Sequence, residues 1–350
     1  MSLDNAVFFG SAGMGEVVHA TPLLRQISGA TLVVREWHRP IFDRIPNLNV
    51  EVYPEDTVFR RAEAILPRSF ADRIGLDSRP AFSTHMRNGV FIGEDKPKLW
   101  VSGVDGGVPP HQPLSGKMMR RYGLDPKQDS DLAFEVSRIG VSKPRVLTLA
   151  SSGEILRTIP FPVIRELVRR LLGWKIQIIS VLSTEQKAEL LEANLGRNDL
   201  FFMYPSGFTA SAFAETLTAV QNSSVVVSTE NGWSNCAVAS GIKTIILQSH
   251  VLFESLIPRH HWSHTSPFVR SDLSCDRQCS AQRILAPNPV YPRPQIDWEN
   301  YSALTPDWVS RIYCNPEAHY PTTLACWDNR NPSCMSYTTE EIERLCAMLA

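Results

Sequence analysis

Along the chain, short unbroken apolar runs alternate with stretches whose apolar residues return every three or four positions. Runs of this length bounded by glycine or polar residues suit strands buried on both faces, and the 3.6-residue recurrence suits helices packed on one side. In the first third, residues 7–9, 31–34 and 50–53 read as strands, with RPIFDRI between the last two as a helix. KLWVSG (98–103) is a further strand candidate, and SGKMMRRYGL is a short amphipathic helix with Arg120 and Arg121 exposed. Such a helix can touch a membrane or simply face solvent.

The pattern is clearest after residue 144. RVLTLA, KIQIIS, LFFM, SVVVS and KTIIL read as strands. Between them lie a stripe of Ile164, Leu167, Val168, Leu171 and Leu172, the helix TEQKAELLEAN, the helix FTASAFAETLTAV, and the turn ENGWS leading into a short helix. A βαβαβ series of this kind dictates a parallel sheet with helices on both faces. Thr338 and Glu341 form a capping box that opens a last helix.

The polar segment SRIGVSKP (137–144) marks a domain boundary. The expected organisation is a domain over 1–140, a second over 141–337 with a cysteine-rich tail, and the helix 338–350. A chain of 350 residues is long enough for two such cores. Its 43% hydrophobic and 20% charged residues are those of a soluble globular protein, and a net charge of -1 gives no global field to recruit nucleic acid or anionic membrane. A charged substrate must then be met locally. Arg60, Arg61, Arg68, Arg73, Arg79 and Arg87 form either a solvated face or a surface for an anionic acceptor. With no basic leader and no apolar run of roughly 18 residues, the expected place is the cytoplasm, with peripheral contact at the inner membrane left open. Six of the seven cysteines fall in the last 76 residues, where metal ligation or buried thiols fit better than disulfides.

The candidate chemistry begins in AVFFGSAGMGEVVHATPLLRQI. Gly10, Gly13 and Gly15 let the backbone turn and approach a ligand closely. Val17, Ala20, Leu24 and Ile27 recur at helical spacing, and Thr21 with Pro22 reads as an N-cap followed by a first-turn proline. Glu16 is thereby placed beyond the carboxyl end of a strand, where open α/β sheets bind ligands, either as a general base or as a solvated carboxylate at a helix start. G-x-x-G-x-G is not the dinucleotide fingerprint G-x-G-x-x-G, which makes a nicotinamide enzyme a weak candidate.

Two strand-end loops of the second half carry polar groups of the same kind. After RVLTLA come Ser151, Ser152, Gly153 and Arg157; after SVVVS come Glu230, Asn231, Gly232 and Ser234 at the head of a helix. The second is a phosphate or sugar site or an ordinary capped helix. His260, His261 and His264 lack a carboxylate or cysteine at ligand spacing and read as loop histidines rather than zinc ligands.

Four segments together resemble the lipopolysaccharide heptosyltransferases, glycosyltransferase family 9. GMGEVVHATPLLRQI is similar to that family's opening motif, in which G-D-V/I precedes a T-x-P helix. RTIPFPVIRELVRRL resembles its K-x-W-P segment, STENGWSNCAVASGIKTIIL its D-T-G-x-S-H helix and strand, and CMSYTTEEI its C-M-x-x-I ending. The four run in the family's order across almost the whole chain. Glu16 stands at the family's catalytic aspartate, Glu230, Asn231 and Asn235 at the aspartate, threonine and histidine of the second motif, and Arg157 at its phosphate-binding lysine.

The resemblance implies a GT-B architecture, an α/β fold of two Rossmann-like domains facing across a cleft, with acceptor on the first and nucleotide sugar on the second. It implies an inverting transfer that needs no catalytic cofactor, from a donor such as an ADP-heptose-like nucleotide diphosphate sugar. The acceptor would be a hydroxyl on a glycan, a lipopolysaccharide core or another lipid-linked acceptor, or a protein. Glu16 would be the base; Ser151, Ser152, Arg157, Glu230, Asn231, Gly232 and Ser234 would meet the donor; Gly13, Met14, Gly15 and His19 would line the acceptor side. A nucleotide-sugar epimerase of the same fold and a non-catalytic sugar-binding or assembly protein are the alternatives. Cys275, Cys279, Cys326 and Cys334 also resemble the four-cysteine metal finger of some protein-modifying relatives, with Cys314 a rival ligand, and would hold a structural zinc or iron.

Overall fold

The computed structural model describes residues 4–5, 7–10, 14–43, 45, 47–52, 98–100, 115–116, 119, 123–124, 145–151, 158–203, 209–247, 253, 257–268 and 337–349. The boundary segment 137–144 and the cysteine-rich tail lie outside them.

Residues 7–100 hold a four-stranded sheet: β1 (Val7–Gly10), β2 (Thr31–Val34), β3 (Asn49–Val52) and β4 (Lys98–Trp100). All pairs are parallel and the spatial order is β3-β2-β1-β4, with Phe8 beside both Leu32 and Leu99. All four residues of β2 are buried, as a strand covered on both faces requires. Between β1 and β2 the chain forms two helices rather than one, α1 (Met14–His19) and α2 (Thr21–Arg25). Thr21 is not the cap: its hydroxyl donates to the Val18 carbonyl at 2.8 Å, and Pro22 occupies the first turn of α2. Pro22 has no N–H to donate to the Val18 carbonyl, which breaks the helix at Ala20, and the Thr21 hydroxyl takes that carbonyl instead. A 3-10 turn (Glu36–His38) and α3 (Arg39–Phe42) lead to β3.

The second sheet has six parallel strands in the order β10-β9-β8-β5-β6-β7. They are β5 (Val146–Ala150), β6 (Lys175–Ile179), β7 (Asp199–Phe202), β8 (Val225–Ser228), β9 (Lys243–Leu247) and β10 (Thr265–Phe268). The connecting helices are α4 (Phe161–Arg170), α5 (Thr184–Asn194), α6 (Ala210–Gln221) and α7 (Gly232–Ala239), and α8 (Thr339–Leu349) closes the described chain. The expected capping box at α8 is present, with the Thr338 amide donating to Glu341 Oε2 at 2.9 Å and the Glu341 amide to Thr338 Oγ1 at 3.2 Å. β10 is absent from the sequence reading because TSPF carries a proline and little apolar content; at the sheet edge Pro267 removes no ladder donor that a neighbour needs.

The strands of the second sheet divide by alternation. Leu147, Leu149, Val225, Val227 and Ile245 face α4 and α8, while Ala150, Val226 and Ile246 face α6 and α7. The second set joins one buried cluster with Phe8, Val17, Leu23 and Leu32 of the first sheet. A single core therefore runs through both units. Each fully buried Leu, Ile or Phe in it contributes roughly 1.5–3 kcal/mol to folding.

Candidate functional site

Ligands of open parallel sheets bind beyond the strand ends where the strand order reverses, because the two flanking loops diverge there and leave a crevice. In the first sheet that point lies between β1 and β4, and the loop after β1 leads into α1 with Glu16 in its first turn. In the second it lies between β5 and β8, whose following loops begin at Ser151 and Thr229. Of the candidates, Glu16, Ser151 and the segment from Glu230 to Ser234 follow the strands at these two points. Glu16 lies in α1 by its backbone, with its side chain outside the described residues. Gly13, Ser152, Gly153 and Arg157 lie outside the described residues, as do Cys275, Cys279, Cys314, Cys326 and Cys334.

The loops at the second reversal point are bound together by Asn231. This N-cap of α7 accepts from the amides of Trp233 at 2.9 Å and Ser234 at 3.1 Å through Oδ1. Its Nδ2 donates to the Ala150 carbonyl at 3.1 Å and to Ser228 Oγ at 2.9 Å. Ser234 Oγ donates to the Asn231 carbonyl at 2.7 Å and accepts from the Asn231 amide at 3.1 Å, completing a reciprocal cap. Asn231 and Ser234 are buried with their hydrogen bonds spent inside the protein, so they shape the loop rather than reach into the crevice. Ser151 is buried too: its hydroxyl accepts from the Ile159 amide at 2.9 Å and its amide donates to the Ile179 carbonyl at 2.7 Å. Glu230 and Gly232 are half-buried beside them.

The two reversal points meet through α1 and α7. A Cβ added to Gly15 would stand 2.7 Å from Asn235 Nδ2 and 3.5 Å from the Gly232 Cα. A Cβ on Gly232 would strike Met14 Cε and stand 3.2 Å from Met14 Cβ and 3.3 Å from the Gly15 nitrogen. Neither glycine has the positive φ that would by itself demand glycine. Their small size serves the close approach of the helices.

This junction carries polar groups with no partner among the described residues. Asn235 is 4% exposed with an unbonded Oδ1, and His19 is 1% exposed with both ring nitrogens unbonded. Burial pushes the His19 imidazolium down to about 4, which keeps the ring neutral. Nearby, His38 stands edge-on to Phe213 of α6, 6.0 Å between centroids, and Phe213 leans on Trp233 at 5.4 Å. Burial, with the Arg35 guanidinium adding to it, lowers His38 to about 3. His38, Phe213 and Asn235 had no place in the sequence reading of the site, except that Asn235 stood at a motif position; a contact between halves leaves no periodic signal in either.

Elsewhere the sequence candidates have structural roles. His264 Nε2 lies 3.2 Å from the Val238 carbonyl at the end of α7, while the rings of His260 and His261 lie against each other, tilted by 45° with 3.9 Å between centroids. No group of three or more His, Cys, Asp or Glu among the described residues could hold a metal ion. Cys236 is buried in α7, its thiol held neutral by desolvation. No described helix is long and apolar enough to cross a membrane.

No protein-family profile and no curated protein sequence matches the chain. Among solved structures it is similar to E. coli ADP-heptose lps heptosyltransferase II, with a TM-score of 0.50 and 13% identity over 77% of this chain and 91% of that one. It is also similar to a glycosyl transferase family 9 protein from Veillonella parvula, at a TM-score of 0.49 and 12% identity over 78% and 90%. A third is E. coli heptosyltransferase WaaC with ADP, at 0.46 and 14% over 75% and 90%. The likeness to heptosyltransferase II is one of fold: an α/β protein of two parallel-sheet units in the GT-B arrangement.

Proposed function

We propose that the protein is an inverting glycosyltransferase that moves a heptose-like sugar from a nucleotide diphosphate sugar to a hydroxyl acceptor on a glycan, a lipid-linked core or a protein. One observation supports the reading: α1, which follows β1 at the first reversal point, packs closely on α7, which follows β8 at the second. In a GT-B fold, that junction is where acceptor and donor would meet.

Glu16, in the first turn of α1, would accept the acceptor hydroxyl's proton as it attacks the sugar carbon opposite the diphosphate. Arg157, Ser152 and the segment from Glu230 to Gly232 would hold the donor, the guanidinium taking the charge that develops on the leaving diphosphate. Ser151, Asn231 and Ser234 would act beneath them by fixing the two loops. Gly13, Met14, Gly15 and His19 would bound the acceptor side. The clustered cysteines would have a structural role, since four thiolates leave an ion no open position for substrate.

Calorimetric titration with ADP-, GDP-, UDP- and CMP-sugars tests the reading. One nucleotide class should bind, and Arg157→Ala should weaken it by about tenfold to a hundredfold, as a lost charge-assisted contact to diphosphate does. Absence of binding by every nucleotide sugar would refute it.

A further inference from the structure

We propose that Gly15 and Gly232, with Asn235 between them, are positioning residues whose crossing sets the separation of the two domains and so the reach from Glu16 to the donor. The inference rests on the transferase reading above and adds to it a physical stop between the halves. Two independent observations support it.

The first is steric. Both glycines lie outside the left-handed region, so an L-residue could take either backbone. At Gly232 an added Cβ meets a flexible methionine end, but it also stands 3.2 Å from Met14 Cβ and 3.3 Å from the Gly15 nitrogen, atoms that move only if α1 moves. Alanine is also the better helix former, so the local propensity of α7 argues against glycine. What remains is the other domain. Gly232 is glycine because the start of α1 stands against it, and Gly15 because the Asn235 carboxamide fills the space where its side chain would begin.

The second is polar. Asn235, one turn beyond Asn231 on α7, places Nδ2 2.7 Å from where a Gly15 side chain would begin, and its buried Oδ1 has no partner among the described residues. His19 lies one turn after Gly15 in α1, buried, with neither nitrogen bonded among the described residues. Unsatisfied buried groups of this kind are costly, and they persist where a working geometry requires the contact. The crossing is therefore held by the apolar core around it, not by the polar groups within it.

The test is a double-mutant cycle across the domains, read by amide hydrogen exchange and by transfer. Gly15→Ala in the full chain should speed exchange in residues 14–19 and 232–239 by about tenfold, while strands β5, β6 and β8 stay protected. Transfer should fall about tenfold, as the base and the donor loop are pushed out of register. Asn235→Ala vacates the space that the new methyl needs, so in that background Gly15→Ala should change exchange less than twofold and the transfer rate should recover. Equal effects of Gly15→Ala in both backgrounds, or no effect in either, would overturn the proposal. Gly232→Val, which meets the backbone of α1, should show the larger exchange change; unaltered exchange there would overturn it too. The exchange readout needs no substrate, so failure of the transferase reading would appear separately, as absence of nucleotide-sugar binding by the wild type.

Discussion

The two sides of α7 use the same residue type in opposite ways. Toward β5 and β8, Asn231 spends both ends of its carboxamide: two amides donate to it, and it donates to Ala150 and Ser228. Toward α1, Asn235 is equally buried, yet its Oδ1 has no partner among the described residues. One side is built for stability, where both ends of the Asn231 carboxamide are bonded and the backbone of two loops is fixed. The other tolerates unpaired groups at the junction of the domains, as sites kept for a working geometry do.

Substitutions that separate the two sides follow from this contrast. The largest effect belongs to the junction: Glu16→Gln should lower transfer by about two to four orders of magnitude in a product assay while leaving donor affinity near normal. Unchanged turnover would remove Glu16 from the mechanism.

Acid should act on the junction next. His19 and His38 fold in the neutral form, with values near 4 and 3 against an ordinary 6.5. Below 6.5 the unfolded chain binds protons that the folded chain refuses, so stability is complete above about pH 6.5 and declines as pH falls toward 4 and then 3. Each histidine should cost about 2 kcal/mol between pH 7 and pH 5, read by denaturant unfolding. Replacing both with apolar residues of similar size should flatten that slope.

Asn231→Ala comes third, at about 2–4 kcal/mol of stability, because it removes a cap, leaves the Trp233 and Ser234 amides without their acceptor and breaks the tie from α7 to the Ala150 carbonyl and Ser228. Asn235→Ala should be smallest, within about 1 kcal/mol of wild type, since its Oδ1 has no bond to lose among the described residues. Thermal unfolding of the two variants side by side gives the sign directly. A loss at position 235 as large as that at 231 would show the two sides to be alike.

The parallel sheets were legible because strands covered on both faces must be continuous apolar runs, and β2, β5 and β8 are buried throughout. The α4 stripe was legible for the same kind of reason: Ile164, Leu167 and Val168 all enter one cluster. The two short helices after β1 were not, because a hydroxyl bonding back to Val18 mimics a capping residue in sequence. β10 was not, because edge pairing through backbone groups needs no apolar run. In the site, the motif positions of Asn231 and Ser234 could be located but not their roles, since a residue that faces a crevice and one that braces it carry the same letters. The glycine crossing is long-range, and only the packing of α1 on α7 reveals why Gly15 and Gly232 are small.

The central claim is that a nucleotide sugar occupies the reversal point of the second sheet, against the junction. Amide hydrogen exchange of the full chain with and without the nucleotide sugar that binds tests it most directly. Protection is expected in residues 150–160 and 229–236, with little change at the outer strands β7 and β10. Protection confined to those outer strands, or to segments away from both loops, would contradict it.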